Sequence, residues 1–250
     1  MSSNLIGNNI IRLDSVDSTN NYAAKLINQP NIPFGTVIMS RFQTSGKGQR
    51  TSNWISSKNE NLLFSFILDT SFLNSAYVFK LSKAVSISLK IALSEIVSND
   101  ISIKWPNDIF VDSCKIAGIL IENQWAASSL KSSIIGVGLN VNQIEFDSSF
   151  SATSLRLLTK SEHIIDDVLK TIIKYLNIYF EVLKKGSFSL IDEMYLNYLL
   201  KFHEWSKYKS LNGEVFEGKI TGVSKNGLLS VEDRSGQVKN YDLKEINFVL

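Results

Sequence analysis

Lys104-Trp105-Pro106-Asn107-Asp108 and, seven positions after Asp108, Lys115-Ile116-Ala117-Gly118-Ile119-Leu120-Ile121-Glu122 form the stretch that decides the fold. The second half is an apolar run of strand length that opens on a lysine and closes on a glutamate. Ile101 to Trp105 upstream and Ser133 to Val141 downstream are two more strand candidates, with turns between. Further toward the N-terminus, Thr36 to Met39 and Asn61 to Leu68 read as strands, and Ile10 to Leu13 is a short apolar run. Helical spacing appears after Asp17-Ser18-Thr19-Asn20, where Ser18 or Thr19 is a natural N-cap, and again over Ala76 to Val97, His163 to Lys184 and around Leu190 to Leu200. After Trp205 the texture changes to short alternating runs, Glu214–Gly218, Lys219–Val223, Gly227–Glu232 and Gln237–Tyr241. They are broken by hairpin signals such as Asn212-Gly213 and Asn226-Gly227. The expectation is an α+β domain, residues 1–204, with a small all-β barrel, 205–250, appended.

Composition excludes several classes. The chain has 250 residues, 44% of them hydrophobic, enough for a sizeable core without disulfides or metal. Net charge is +2, too balanced to suggest bulk nucleic-acid binding. One cysteine, Cys114, and two histidines, His163 and His203, leave no disulfide framework and no usual zinc cluster. Neither a signal peptide nor a membrane-length apolar run is visible, so a cytoplasmic protein is expected.

Four segments carry chemistry, and each has a plain structural reading beside the functional one. Gln43 to Glu60 is a long polar loop with a single aromatic residue, Trp54, and loops of that length tend to be functional. Within it, Gly46-Lys47-Gly48-Gln49-Arg50 is either a solvated basic turn or a cradle in which backbone amides and two cations meet anionic oxygens. It is not a Walker loop. Trp105-Pro106-Asn107-Asp108 has turn chemistry, and a functional role is compatible with that. Lys115 is either an edge lysine whose stem covers apolar surface or a cation held near the interior. Gly136-Val137-Gly138-Leu139-Asn140 lacks the third glycine of a dinucleotide fingerprint and continues a strand, so it is no Rossmann signal.

Asp17 to Asn20, Gln43 to Arg50 with Trp54, Lys104 to Asp108 with Lys115 to Glu122, and Gly136 to Asn142 stand in an order and spacing that resembles the catalytic domain of biotin protein ligases. The resemblance spans about Leu13 to Thr159, and the terminal barrel is similar to that family's C-terminal domain. It implies a class II aminoacyl-tRNA synthetase/biotin ligase-like mixed sheet flanked by helices, with an SH3-like barrel. It also implies an ATP-dependent ligase that makes biotinyl-5′-AMP and transfers biotin to a lysine of the biotin carboxyl carrier protein domain of a carboxylase such as acetyl-CoA carboxylase.

By resemblance, Ser18, Thr19, Asn20, Gln43, Gly46, Gly118 and Gly136 take biotin, and neutral polar groups suit its ureido ring. Lys115 touches the reacting carboxylate and α-phosphate, with Lys47 and Asp108 as further catalytic groups. Lys47, Gln49, Arg50, Trp54, Lys104 and Asn140 line the ATP and adenylate side, and Asp108 is a candidate Mg²⁺ ligand. Gln49 and Thr51 depart from the family pattern, where many relatives have arginine and glycine, which leaves fewer charges for phosphates. The Asp17 to Asn20 motif begins too early for a preceding helix-turn-helix, so no sequence-specific DNA binding is expected. A lipoate or octanoate ligase is the nearest rival, and a non-catalytic binder of biotin or carrier domains is the rival from another class.

Overall fold

The computed structural model describes residues 5–29, 31–49, 52–147 and 151–249. Seven strands, Ile10–Leu13 (β1), Val37–Ser40 (β2), Asn61–Asp69 (β3), Ile101–Lys104 (β4), Asp108–Val111 (β5), Cys114–Ala126 (β6) and Ser129–Asn140 (β7), form one sheet in the order β1-β2-β3-β7-β6-β5-β4. β1 and β2 pair in parallel and every other neighbour is antiparallel, so the sheet is mixed.

Side chains alternate across a strand, so register sorts them onto two faces. Leu62, Phe64 and Phe66 of β3, Val137 and Leu139 of β7, and Ala117 and Ile119 of β6 point one way. They form a single core with the helices Phe79–Ser94 (α2) and Ile165–Lys184 (α4) and with Ile191 and Tyr195 of Phe188–Asn197 (α5). A second face is covered only at one end. There the helix Thr19–Leu26 (α1) lays Ala23 and Leu26 on Ile38, Ile67 and Ile134. The other end of that face has small residues where the core face has large ones. Gly118 stands opposite Gly138, and Ser65 and Leu120 flank Gly136.

One irregularity decides which way Lys115 points. Strict alternation would put Lys115 and Gly118, three apart, on opposite faces. The register of β5 with β6 shifts between Ile109 and Phe110, so Ile109 pairs with Ala117 and Phe110 with Lys115. Ile116 is the extra residue of a β-bulge and joins the core, which turns Lys115 onto the same face as Gly118.

Five more strands, Trp205–Ser210 (β8), Val215–Val223 (β9), Leu229–Asp233 (β10), Val238–Tyr241 (β11) and Ile246–Phe248 (β12), make an antiparallel sheet in the order β11-β10-β9-β8-β12. This is the SH3-like unit expected after Trp205. Tyr208, Ile220, Leu229 and Val231 belong to the same hydrophobic cluster as the large sheet. The Trp105 indole N–H donates to the Gly227 carbonyl across the junction at 2.8 Å.

Several expectations need correction. Asp108–Val111 is a strand rather than turn residues, and β9 is continuous where two runs were expected. β8, β12 and the short helix Leu155–Thr159 (α3) were not anticipated. The helix expected from Ala76 starts as a 3₁₀ turn over Ser75–Tyr77 before α2 begins at Phe79. Ser18 sits at the N-cap of α1, but its side chain makes no capping hydrogen bond.

Candidate active site

The half of the sheet left bare by α1 floors a cavity of about 640 Å³. Its floor is glycine because other parts of the chain lie directly on the backbone. A Cβ on Gly136 would stand 2.3 Å from Asn20 Oδ1, and one on Gly138 would stand 2.5 Å from the Trp54 ring. These are close approaches that no other residue permits.

At the α1 end Thr19, Asn20, Gln43 and Ser65 form a mutually bonded set of neutral groups, with the carboxylate of Glu122 beside Asn20. The Thr19 backbone N–H and hydroxyl both donate to Gln43 Oε1, at 2.7 and 3.0 Å. Gln43 therefore supplies the helix-terminal acceptor that Ser18 does not. The Ser65 hydroxyl lies 2.7 Å from Thr19 Oγ1 and 2.6 Å from Asn20 Oδ1; with one proton it donates to one of them at a time. Asn20 Nδ2 donates to Glu122 Oε2 at 2.7 Å. Ser18, Thr19 and Asn20 are all buried, so this end is both polar and pre-organised.

The other end is ionic. Lys115 Nζ lies 2.7 Å from Asp108 Oδ1, with the Trp54 ring centroid 5.6 Å away. Asp108 is placed by its register with Gly118 and Lys104, which puts all three on the floor side. The Lys104 ammonium lies over the Phe110 and Phe248 rings, with centroids at 5.0 and 5.4 Å. Burial pushes the Lys104 ammonium down from the ordinary lysine range; the Asp108 charge opposes this and the Lys115 charge adds to it. The Trp54 indole N–H is buried without a hydrogen-bond partner among the described residues. An unpaired buried donor on a cavity wall is a group left for a ligand to satisfy.

The structure brings most of the expected site residues to this cavity. Ser18, Thr19, Asn20, Gln43, Lys47, Gln49, Trp54, Lys104, Asp108, Lys115, Gly118, Gly136 and Asn140 all line it. Gly46 lies just behind the wall, where a Cβ would meet the Trp54 carbonyl at 2.5 Å. Arg50 and its neighbour Thr51 fall outside the described residues. Lys47 is not beside the phosphate-end cations; its ammonium lies 3.7 Å from Glu122 Oε1, at the α1 end. Asn140 is buried and donates to the Thr153 carbonyl at 3.0 Å. That bond braces a segment which also pairs with Lys115, whose N–H donates to Ser151 and whose carbonyl accepts from Thr153, both at 2.9 Å.

As a resident metal site Asp108 does not fit. Its carboxylate is held by one ammonium with a second nearby, and no cluster of three His, Cys, Asp or Glu exists among the described residues. A divalent cation would enter on its phosphate ligand rather than wait in the protein. Sequence reasoning missed Ser65, Glu122, Phe110 and Phe248. Ser65 had one available signal, a lone small polar residue on an otherwise apolar strand.

The family model for biotin/lipoate A/B protein ligases matches residues 13–140. The bifunctional ligase/repressor BirA of Bacillus spizizenii is 30% identical over 244 residues, which is 95% of this chain and 73% of that protein. A biotin–[acetyl-CoA-carboxylase] ligase of Paracoccus denitrificans is 28% identical over 131 residues, 52% of this chain and 53% of its own length. Among solved structures, the biotin protein ligase of Aquifex aeolicus in complex with biotin and ATP superposes with a TM-score of 0.78 at 28% identity, covering 96% of this chain and 98% of that one. With the matched segment taking in both ends of the cavity, the chain belongs to the biotin/lipoate A/B protein ligase family.

Proposed function

We infer that this chain is an ATP-dependent ligase that activates biotin as biotinyl-5′-AMP and transfers it to a lysine of a biotin carboxyl carrier domain. The observation that carries the site assignment is the polarity of the floor. Neutral donors and acceptors (Thr19, Asn20, Gln43 and Ser65) gather at one end, with the Lys47–Glu122 pair beside them, and the Lys115–Asp108 pair stands at the other. The four residue steps from Gly118 to Glu122 span about 13 Å of extended strand. A ligand with a neutral hydrogen-bonding head, an apolar tail and a terminal carboxylate matches that layout.

In this orientation Thr19, Gln43 and Asn20 meet the ureido ring, and the carboxylate arrives beside Lys115. A carboxylate oxygen attacks the α-phosphorus of ATP, the bond to the β-phosphate oxygen breaks, and pyrophosphate leaves. Lys115 neutralises charge as the two anions meet, and Asp108 fixes the direction of its ammonium. Lys104 is a second cation at the same end. In the second step a neutral carrier-lysine amine attacks the acyl carbon, AMP departs with the bonding pair, and the amine gives up a proton as the amide forms. Magnesium belongs to the nucleotide here and no residue is assigned to hold it alone.

The acceptor is proposed to be the carrier domain of a carboxylase, and a cytoplasmic setting accords with the single free thiol, Cys114. None of the described helices is long and apolar enough to cross a membrane. Pyrophosphate release from the purified protein with ATP, Mg²⁺ and biotin tests the reading, with lipoate in parallel. Release with biotin alone supports it; release with lipoate alone reassigns the chain to the lipoate branch, and release with neither refutes ligase activity.

A further inference from the structure

Glu122 ends the apolar run of β6 and takes no part in the chemistry above, yet its two oxygens hold two separate parts of the site. Oε2 accepts from Asn20 Nδ2, and Oε1 faces the Lys47 ammonium. Lys47 belongs to a tight hairpin. It bridges Asn53, Gly48 N–H donates to the Ser52 carbonyl at 2.8 Å, and Trp54 N–H donates to the Gly46 carbonyl at 2.9 Å. Moving Lys47 therefore moves the backbone around it.

Position along β6 gives the direction of the argument. Lys115 and Asp108 gather over Gly118, where an added Cβ would be 3.3 Å from Lys115 Nζ and 3.4 Å from Asp108 Oδ1. Glu122 lies four residues further on, about 13 Å away, level with Ile134 and the α1 end. We propose that Glu122 and Lys47 form a clasp that fastens the glycine hairpin across the ring end of the biotin site. Lys47 is then a positioning residue for the ring and not a phosphate ligand. Glu122 links that hairpin, through Asn20, to the polar cluster of Ser65, Thr19 and Gln43, in which the Ser65 hydroxyl donates to Asn20 or to Thr19. The strap that covers the ring is tied to the groups that read it. This inference rests on the biotin-ligase reading.

Glu122→Gln keeps an acceptor for Asn20 and removes the charge that Lys47 needs; Lys47→Met removes the other partner. Both ions are about two-fifths exposed, with relative side-chain exposures of 43% and 42%. The effect is correspondingly modest, about a two- to fivefold rise in the biotin dissociation constant for either variant. The KM for ATP at saturating biotin is expected to stay constant, Lys47→Arg to restore biotin affinity, and the double variant to be no worse than one single variant because only one tie is lost. In ligand-free Glu122→Gln protein, hydrogen exchange at the Gly48 and Trp54 amides is expected to quicken. A raised KM for ATP with unchanged biotin affinity would return Lys47 to the phosphates and overturn the proposal, as would unaltered amide exchange. Wild-type protein that binds no biotin would refute the ligase reading instead, while amide exchange in the ligand-free protein would still decide whether the clasp exists.

Discussion

Lys115 faces the cavity only because Ile116 is bulged out of register, and its ammonium is aimed by a single carboxylate. Replacing it with glutamine should slow biotin-dependent pyrophosphate release about 10²- to 10³-fold, the scale seen when one pre-placed electrostatic partner is lost. Thermal stability should change little, since the Lys115 side chain is a third exposed (34%). Near-normal rates would remove Lys115 from the chemistry. At Gly136 the outcome is steric: a methyl group 2.3 Å from Asn20 Oδ1 must displace a side chain bonded to Ser65 and Glu122. Gly136→Ala should therefore weaken biotin binding by about tenfold or more, a cost of roughly 1.4 kcal/mol upward, readable by calorimetry. Gln49 lines the cavity without a charge, so Gln49→Arg should slow the escape of the finished adenylate, measured as a longer half-time of release. At this scale the sequence was informative where a residue sat in a motif, as with Thr19, Gln43, Asp108 and Lys115. It offered only a lone polar residue in an apolar strand for Ser65 and nothing for Phe248, whose roles come from strand register and from the packing of one sheet on another.

Elements of strongly periodic sequence were legible: the long helices α2 and α4 and the central strands β3, β6 and β7 lie where their spacing put them, with ends displaced by a few residues. The failures have physical causes. Pro106, Asn107 and Asp108 have the chemistry of a turn, which masks the four-residue strand that starts at Asp108. A bulge leaves no mark in an apolar run, because Ile116 is as suited to the core as its neighbours. β12 has three residues, too few to show a period, yet it brings Phe248 to Lys104. The turn that joins β4 to β5 is held from outside, by the Trp105 bond to Gly227 and by the Tyr195 hydroxyl donating to the Pro106 carbonyl at 3.2 Å. Trp105→Phe leaves the Gly227 carbonyl without its donor while preserving an aromatic ring. A loss of about 1 kcal/mol in urea-unfolding stability is expected, with a raised KM for ATP because Lys104 and Asp108 flank that turn. An unchanged KM would mean that the large sheet alone positions them.

Across the whole molecule the two sheets share one hydrophobic cluster, and Tyr208 is fully buried in it. Burial pushes the Tyr208 hydroxyl up to about 12 from an ordinary value near 10. A raised pKa means that the unfolded chain releases this proton first as pH rises. The contribution to stability is thus intact below about pH 10 and is lost between about pH 10 and pH 12. Urea unfolding across that range should show falling stability, and Tyr208→Phe should flatten the decline; an equal decline in the variant would assign it to other groups.

The glycine floor limits how the pocket can be redesigned. A wall of side chains can be trimmed to admit a larger ligand, whereas at Gly118, Gly136 and Gly138 there is nothing left to remove. Substitution there can only make the pocket shallower. Variants that accept bulkier biotin analogues should therefore arise on α1, in the hairpin that bears Trp54, or at the Phe248 edge, and a selection for such analogues should leave the three glycines unchanged.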